Sequence, residues 1–404
     1  MKIIVVGNNV AGTNVAKAVR DADQDAVVDV FTDENMAYYA RPKLIDFLAG
    51  EAKEEELLFY PMDWYEKNRI TLTLGAKVEK VDPAKKTVTV AGREHPYDKL
   101  VLANGSSSYV PPLKGLPKEN IFTLRNVEDA RMIRKAASGS KHAIIIGGGL
   151  LGLEAARALA TGFPHMKVTV LEYAEHLLMR QLDHEGAAML QKWVEALGTK
   201  VLTQAQTEEV LGDSIVSGVR LKDGRVIEGD LVLISAGARG NLGLAKDAGL
   251  AVNRGVVVDS SLRTSDPDIF AVGDVAEFDG KTWGIIPPAL EQAKIAGKVI
   301  AGQDAPPYKG TVPSNTLKVM GFDLMSIGTV RSEHEPPETG FEEIRSVSQD
   351  GKVYRKFVFK GDEMIGAIIM GTKKDVPKVT RIIKEKKPAG ELKPRLSDPE
   401  FAIP

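Results

Sequence analysis

The apolar positions of this chain come in short unbroken runs, and between several of them apolar residues return at three- and four-residue spacing. Ile3 to Val6 is such a run; without polar alternation it predicts a strand buried on both faces. Gly7-Asn8-Asn9-Val10-Ala11-Gly12 follows, and an alanine- and valine-rich stretch leaves it with the period of a helix. Ala143 to Ile146, then Gly147-Gly148-Gly149-Leu150-Leu151-Gly152, then Leu153 to Ala160 repeat that succession. Each copy next reaches a second apolar strand that ends in acid: Val27 to Phe31 before Thr32-Asp33-Glu34, and Val168 to Leu171 before Glu172. The pattern predicts two βαβ units in one chain.

Elsewhere the patterning is shorter. Trp64–Asn68 predicts a helix, and Ile70–Leu74, Lys77–Val81 and Thr87–Ala91 predict strands. Leu100 to Gly105 reads as a buried strand ending in a glycine turn, and Val110-Pro111-Pro112-Leu113 as a linker. A strand over Asp230–Ala236 runs into Gly237-Ala238-Arg239-Gly240-Asn241, and a further motif spans Thr264 to Asp274. From Thr316 onward β-like runs alternate (Thr316–Val319, Glu343–Val347, Tyr354–Phe359, Met364–Met370) and close on a helix over Val376–Glu385, predicting a third, α+β domain.

Composition narrows the chemistry. A chain of 404 residues exceeds one ordinary core, and 43% apolar content is enough for several. A net charge of −2 with 27% charged residues describes a mixed surface, which gives neither nucleic acid nor an anionic membrane a particular claim. With no cysteine at all, the chain supplies no disulfide, redox-active thiol pair, thiolate nucleophile, iron–sulfur ligand or zinc–thiolate site. Electron chemistry here needs a bound organic cofactor. The six histidines (His95, His142, His165, His176, His184, His334) lack metal-ligand or triad spacing and read as surface or packing residues, so no metal site is expected. Ile3–Val6 is shorter than a signal-peptide core and no long apolar span occurs, which points to a soluble, cytoplasmic protein.

In a dinucleotide turn the first glycine permits the tight bend and the second lets backbone N–H groups approach a pyrophosphate. The third packs helix against strand. Gly147, Gly149 and Gly152 satisfy all three requirements; the first copy has Asn9 at the middle position. Glu172 is placed to accept hydrogen bonds from an adenosine ribose. A 2′-phosphate beside its carboxylate would meet repulsion of roughly 1 to 4 kcal/mol at 4 Å, which favours NADH over NADPH. The alternative is a solvated acid at a strand end.

At this point a family resemblance is carried by several motifs in order. They are the two glycine turns, Tyr39-Ala40-Arg41-Pro42, Tyr97-Asp98-Lys99-Leu100 before Ala103-Asn104-Gly105, Thr123-Leu124-Arg125, Gly237–Asn241 and Asp268–Asp274. The chain resembles the two-dinucleotide-fold flavoprotein oxidoreductases, in the branch of rubredoxin reductases, oxygenase ferredoxin reductases and the flavin part of NADH-dependent nitrite reductases. The resemblance implies an α/β fold of two Rossmann-like domains, one for FAD and one for NAD, plus a C-terminal α+β interface domain. It places FAD on 1–113 and 245–311, NAD on 114–244 and the interface domain on 312–404. It also implies that Gly7, Asn9, Ala11, Gly12, Thr32, Asp33, Glu34, Arg41, Pro42, Val78, Ala103, Asn104, Gly105, Arg125, Gly273 and Asp274 surround FAD. In that set Asp274 bonds the ribityl chain and Val78 meets adenine through its backbone. Gly147, Gly149, Leu150, Leu151, Gly152, Glu172 and Gly237 hold NAD. Glu154 falls near the meeting place of the two rings, and Lys43 is the second residue expected to act there. Arg41 and Arg125 could equally be surface ion-pair residues.

Four positions depart from the family pattern. Asn9 replaces a glycine, Asn104 a threonine, Asp46 a lysine near the flavin, and Gly240 a proline, with Lys43 one turn from Asp46 as a substitute cation. Asparagine tolerates the left-handed backbone better than any residue except glycine, so Asn9 reads as a modified FAD turn with its amide close to the pyrophosphate.

Hydride transfer to a flavin needs two rings stacked at roughly 3 to 3.5 Å more than it needs an acid or base. Without cysteines, reduced flavin has to pass its electrons outside the chain; the resemblance implies a small iron protein of rubredoxin or ferredoxin type. Lys373–Arg395 holds nine Lys or Arg against three acids. It is either a docking face for an acidic carrier or an ordinary solvated helix and tail. The end, Gly390–Pro404, is either disordered alone or packed on a partner. Three functions follow: an NADH oxidoreductase serving a small redox protein, the flavin subunit of a larger electron-transfer complex, or a non-catalytic nucleotide-binding subunit whose FAD site has decayed.

Overall fold

A computed structural model of the chain describes residues 1–330 and 340–404; His334 lies outside them. The fold divides into two compact units, Met1–Leu44 with Ala52–Tyr109 and Ala238–Thr311, and Ile45–Glu51 with Val110–Gly237 and Val312–Pro404.

The first unit is built on a parallel five-stranded sheet with the order Ile269–Ala271, Lys99–Leu102, Lys2–Val6, Val27–Phe31, Ile70–Thr73. Its central strands are unbroken apolar runs because both faces are covered, and Ile3, Ile4, Val5, Leu100 and Val101 have no exposed surface. The helix Val10–Ala22 packs against Ile286–Ile300 so closely that a Cβ on Gly297 would lie 2.4 Å from the Ala18 Cβ. An antiparallel meander (Val78–Asp82, Thr87–Val90, Arg93–Pro96) completes the unit, together with a short pairing of Ser106–Ser108 with Ala238–Gly240.

The second unit repeats the plan. Its parallel sheet runs Lys200–Leu202, Lys167–Leu171, His142–Ile146, Leu231–Ile234, Ile121–Phe122, and a three-stranded meander (Thr207–Leu211, Gly218–Leu221, Val226–Glu228) sits beside it. The same unit carries a five-stranded antiparallel sheet ordered Ser314–Val319, Phe322–Gly328, Glu363–Met370, Tyr354–Lys360, Phe341–Val347.

Both faces of that sheet are used. Phe357 and Phe359 meet the helix Val376–Glu385, which buries Val376, Val379 and Ile383, and the end of the chain, through Leu392, Leu396, Phe401 and Ile403. Arg355 donates to the Phe401 carbonyl at 2.8 Å and Lys378 to that of Ile403 at 2.6 Å. The tail is therefore neither disordered nor dependent on a partner, because its apolar residues have a bed on their own domain. From the other face the Tyr354 hydroxyl donates to Asp183 Oδ2 at 2.6 Å, and Lys356 Nζ lies 3.3 Å from the same oxygen. With both side chains 1% exposed, this pair joins the sheet to the residue that caps the helix His184–Ala196.

Candidate functional site

In the first unit the strand Lys2–Val6 stops at Gly7, which has a φ of +106° and whose Cβ would come within 2.4 Å of the Ala103 carbonyl oxygen. Gly12 is tighter, with a Cβ position 1.8 Å from the Gly7 oxygen. Asn9 plays another part. Its carboxamide oxygen accepts from the N–H groups of Ala11 at 2.9 Å and Gly12 at 3.3 Å, and its NH2 donates to the Ala103 carbonyl at 2.6 Å. It is the helix N-cap. The left-handed backbone expected of it is corrected here: φ is −104° and ψ −170°, because only an extended residue swings its side chain back onto the N2 and N3 donors.

Around this turn lies a set of polar side chains. Asn8 Oδ1 accepts from Thr13 Oγ1 at 2.9 Å and from the Tyr65 hydroxyl at 2.8 Å, while its buried Nδ2 has no protein partner. Asn104 and Asn241 clasp each other, each Nδ2 donating to the other's carbonyl at 2.8 and 2.7 Å, and the buried Asn104 Oδ1 is likewise unmatched. Ser106 donates to Asp274 Oδ2 at 2.7 Å, and Gly273 N–H donates to Gln292 Oε1 at 2.7 Å. Gly273, at φ +79°, leaves no space for a Cβ, which would sit 2.7 Å from that of Ala11. At the strand end Thr32 is buried and Asp33 exposed, and Glu34 is held by the Tyr39 hydroxyl and by Arg41 Nη2, both at 2.5 Å. Burial pulls the Arg41 guanidinium down, but Glu34, Tyr39 and Asp274 outweigh it and keep the group charged, above its ordinary value. Val78 is buried in its strand, Pro42 and Lys43 follow Arg41 in a 3-10 turn, and the Lys43 ammonium rests on the Glu56 carbonyl at 3.0 Å. Glycines that exclude a side chain, beside an unmatched buried donor and acceptor, fit a polar cofactor lying along the turn, as FAD would.

The second unit keeps the steric part of this arrangement. A Cβ on Gly147 would lie 2.3 Å from the Ser235 oxygen, and one on Gly152 2.0 Å from the Gly147 oxygen. At the middle position, however, Gly149 caps the helix Leu150–Gly162 with no side chain, and a Cβ there would meet nothing within 4 Å. Glu172 accepts from Gly148 N–H at 2.6 Å and Ala174 N–H at 2.7 Å, which aims the carboxylate at the turn. Leu150 and Leu151 begin the helix, with Leu151 exposed, and Gly237 (φ +103°) ends the Leu231–Ile234 strand with open space at its Cβ. An uncapped helix start next to an acid suits an anionic dinucleotide.

Glu154, one turn into that helix, accepts from Met320 N–H at 2.7 Å and from Arg157 Nε at 3.3 Å. Burial raises its carboxyl above the usual range, against the opposing pull of Met320 N–H and Arg157. Arg157 also lies 3.8 Å from Asp46 and 3.3 Å from Glu51, so Asp46 has a cation partner in its own unit. Arg125 belongs to the second unit as well, where its N–H donates to Asp129 at 2.7 Å.

Sequence reasoning did not single out Tyr65, Ser106, Asn241, Gln292, Arg157 or Met320. Ser106, Asn241 and Arg157 sit inside or beside quoted motifs and could have been found from them. Tyr65, Gln292 and Met320 act through contacts farther off in sequence. Among the described residues no group of three His, Cys, Asp or Glu is placed to hold a metal ion, and no helix is long and apolar enough to cross a membrane.

Two strand–turn–helix units in one chain, followed by an antiparallel sheet, define a fold with two dinucleotide-type turns. The sequence pattern of the pyridine nucleotide-disulphide oxidoreductases matches residues 1–298, and that of the rubredoxin NAD+ reductase C-terminal domain residues 313–387. The chain belongs to the pyridine nucleotide-disulphide oxidoreductase family. It is 38% identical over 373 residues to the nitrite reductase [NAD(P)H] of Bacillus subtilis, covering 92% of this chain and 45% of that protein. It is 33% identical over 377 residues to the NADH-rubredoxin oxidoreductase of Clostridium acetobutylicum, covering 92% and 93%. The reductase chain in the crystal structure of the covalent putidaredoxin reductase–putidaredoxin complex superposes with a TM-score of 0.88 at 27% identity, covering 98% of this chain and 96% of that one. The chain spans about half the length or less of the first curated relatives that it matches.

Proposed function

We propose that the chain is an FAD-dependent NADH oxidoreductase that passes electrons to a small iron redox protein of the rubredoxin or ferredoxin type. The observation that carries this reading is the pair of unlike turns. One is already closed by Asn9 and ringed by buried polar groups; the other is left open at Gly149 beside Glu172. We read 1–113 and 245–311 as the FAD domain, 114–244 as the NAD domain and 312–404 as the interface domain, working in the cytoplasm.

FAD, when bound, accepts a hydride and releases electrons singly. In this reading Gly7, Asn9, Ala11, Gly12, Ala103, Asn104 and Gly105 form its bed, Asp274 takes a ribityl hydroxyl, and Thr32, Asp33, Glu34, Arg41, Pro42, Val78, Arg125 and Gly273 lie along it. On the NADH side the donors at the start of Leu150–Gly162 receive the pyrophosphate, with Gly147, Gly152 and Gly237 giving it room. Glu172 accepts the ribose hydroxyls, and Glu154 and Lys43 flank the reacting rings. No cysteine is present to relay electrons, so the acceptor is external. The exposed Lys384, Lys386 and Lys387 beyond Ile383 offer an acidic carrier a docking face.

The test is optical. The purified protein should show flavin bands that bleach anaerobically with NADH and not with NADPH. A colourless protein that does not take up FAD would instead support a decayed, non-catalytic site. A second reading, the flavin part of a larger electron-transfer complex, is favoured by the match to less than half of the Bacillus nitrite reductase. It predicts that the acceptor co-purifies as another domain or subunit.

A further inference from the structure

The hairpin joining Ser314–Val319 to Phe322–Gly328 turns at Met320 and Gly321, with φ of +52° and +83°. Glycine adopts this conformation freely, whereas methionine does so at a cost of about 1 kcal/mol or more. Met320 is nonetheless only 2% exposed, and both of its backbone groups are engaged: its N–H donates to Glu154 Oε1 at 2.7 Å and its carbonyl accepts from Trp193 Nε1 at 3.1 Å. A two-residue hairpin turn of this type needs positive φ at both central residues, and Glu154 and Trp193 are the contacts that hold its buried methionine in place.

We propose that the Met320–Gly321 turn is a positioning element for Glu154, fixing one carboxylate oxygen and so tying the nicotinamide end of the dinucleotide site to the antiparallel sheet that would face the electron acceptor. The inference rests on the reading of Glu154 given above. Once Oε1 is fixed by Met320, Oε2 faces Arg157, at 3.3 Å from Nε. The charged groups around the carboxyl are Arg157 from the same helix and Asp46 from 45–51, with Glu51 on the far side of Arg157. One cation thus stands among three carboxylates; burial pushes the Glu154 carboxyl up, and the Met320 N–H works against that rise together with Arg157.

Two measurements test this in the full-length protein. Amide hydrogen exchange at Met320 should accelerate about tenfold or more in Glu154→Ala, since a hydrogen bond to a charged group is lost. This arm needs neither flavin nor turnover, so it stands even if the protein proves not to be an NADH oxidoreductase. Exchange at Met320 that is unchanged in Glu154→Ala overturns the proposal. In the second, the pH profile of anaerobic flavin reduction by NADH is compared with that of Gly321→Val. A Cβ at Gly321 meets nothing within 4 Å, so that variant strains the backbone without a clash. Loss of the Met320 donor should move the inflection up by about one unit, whereas Met320→Gly, which keeps both the N–H and the left-handed turn, should retain it. An inflection that stays put in Gly321→Val, or that is absent from the parent protein, overturns the proposal.

Discussion

The two glycine turns are the same object built for two states of readiness. At both, the first and last glycines are demanded by the chain itself: a Cβ would strike the carbonyl of the neighbouring strand (2.4 Å at Gly7, 2.3 Å at Gly147) or the carbonyl of the first glycine (1.8 Å at Gly12, 2.0 Å at Gly152). The positions between them differ, and the middle one sets the cap. Asn9 folds back to satisfy two helix N–H groups, whereas Gly149 leaves its helix start without a side-chain cap. The outer glycines are demanded by the architecture, and the middle one is not. A change at the middle therefore alters what the turn binds without undoing the fold, and the first turn is better described as self-capped than as decayed.

The comparison is broken most directly at the outer glycines. Gly12→Ala and Gly152→Ala should each destabilise the protein by about 3 kcal/mol or more, since the obstructing atom is backbone oxygen and cannot swing aside. Urea unfolding that shows one of the two tolerated would mean that the turns are not sterically alike.

Next in size is a transplant. Gly149→Asn should give the second turn the cap of the first, changing stability by only a few tenths of a kcal/mol. It should weaken NAD+ binding about tenfold or more, because the side chain takes the donors meant for the pyrophosphate. Calorimetric titration of both proteins with NAD+ measures this, and equal affinity would separate the open helix start from dinucleotide binding.

The acids that end the second strands sharpen the comparison further. Glu34 is tied to Tyr39 and Arg41, whereas Glu172 is held by the backbone N–H groups of Gly148 and Ala174. Glu172→Ala should relax the preference for NADH over NADPH about tenfold or more, in proportion to the repulsion removed. Bleaching rates with the two nucleotides read the ratio; an unchanged ratio would make Glu172 a strand-end acid and no more.

How much of this was open to reading from sequence follows from the range of each interaction. The turns, their strands and the helix Val376–Glu385 were legible because their signals are local: unbroken apolar runs, glycine spacing and an apolar face at Val376, Val379 and Ile383. The strand Phe322–Gly328 was missed: the expected run stops at Val319, and Asp323 and Ser326 break the apolar pattern of the strand that pairs with it across a two-residue turn. Lys356 sits in a strand and would pass for a solvent-facing residue; Asp183, far away in sequence, and Glu343 on the paired strand make its burial tolerable. Asn9 itself was legible as a departure but not as a cap, because propensity speaks of φ while the cap depends on where the carboxamide reaches.

The smallest effect is the most telling. Asn9→Gly restores the glycine of the second turn to the first, and it removes the hydrogen bonds to Ala11, Gly12 and the Ala103 carbonyl. Glycine is itself an accepted cap residue, so the helix should lose only a few tenths of a kcal/mol, with up to about 1 kcal/mol more from the broken contact to Ala103. If Asn9 merely keeps the turn closed around a functioning flavin site, Asn9→Gly should retain flavin after gel filtration and bleach with NADH at nearly the parental rate. If the carboxamide blocks the pyrophosphate, the variant should gain flavin that the parent lacks. The ratio of bound flavin in the two proteins decides between these, because a closed turn and a blocked turn differ in nothing else that the first unit shows.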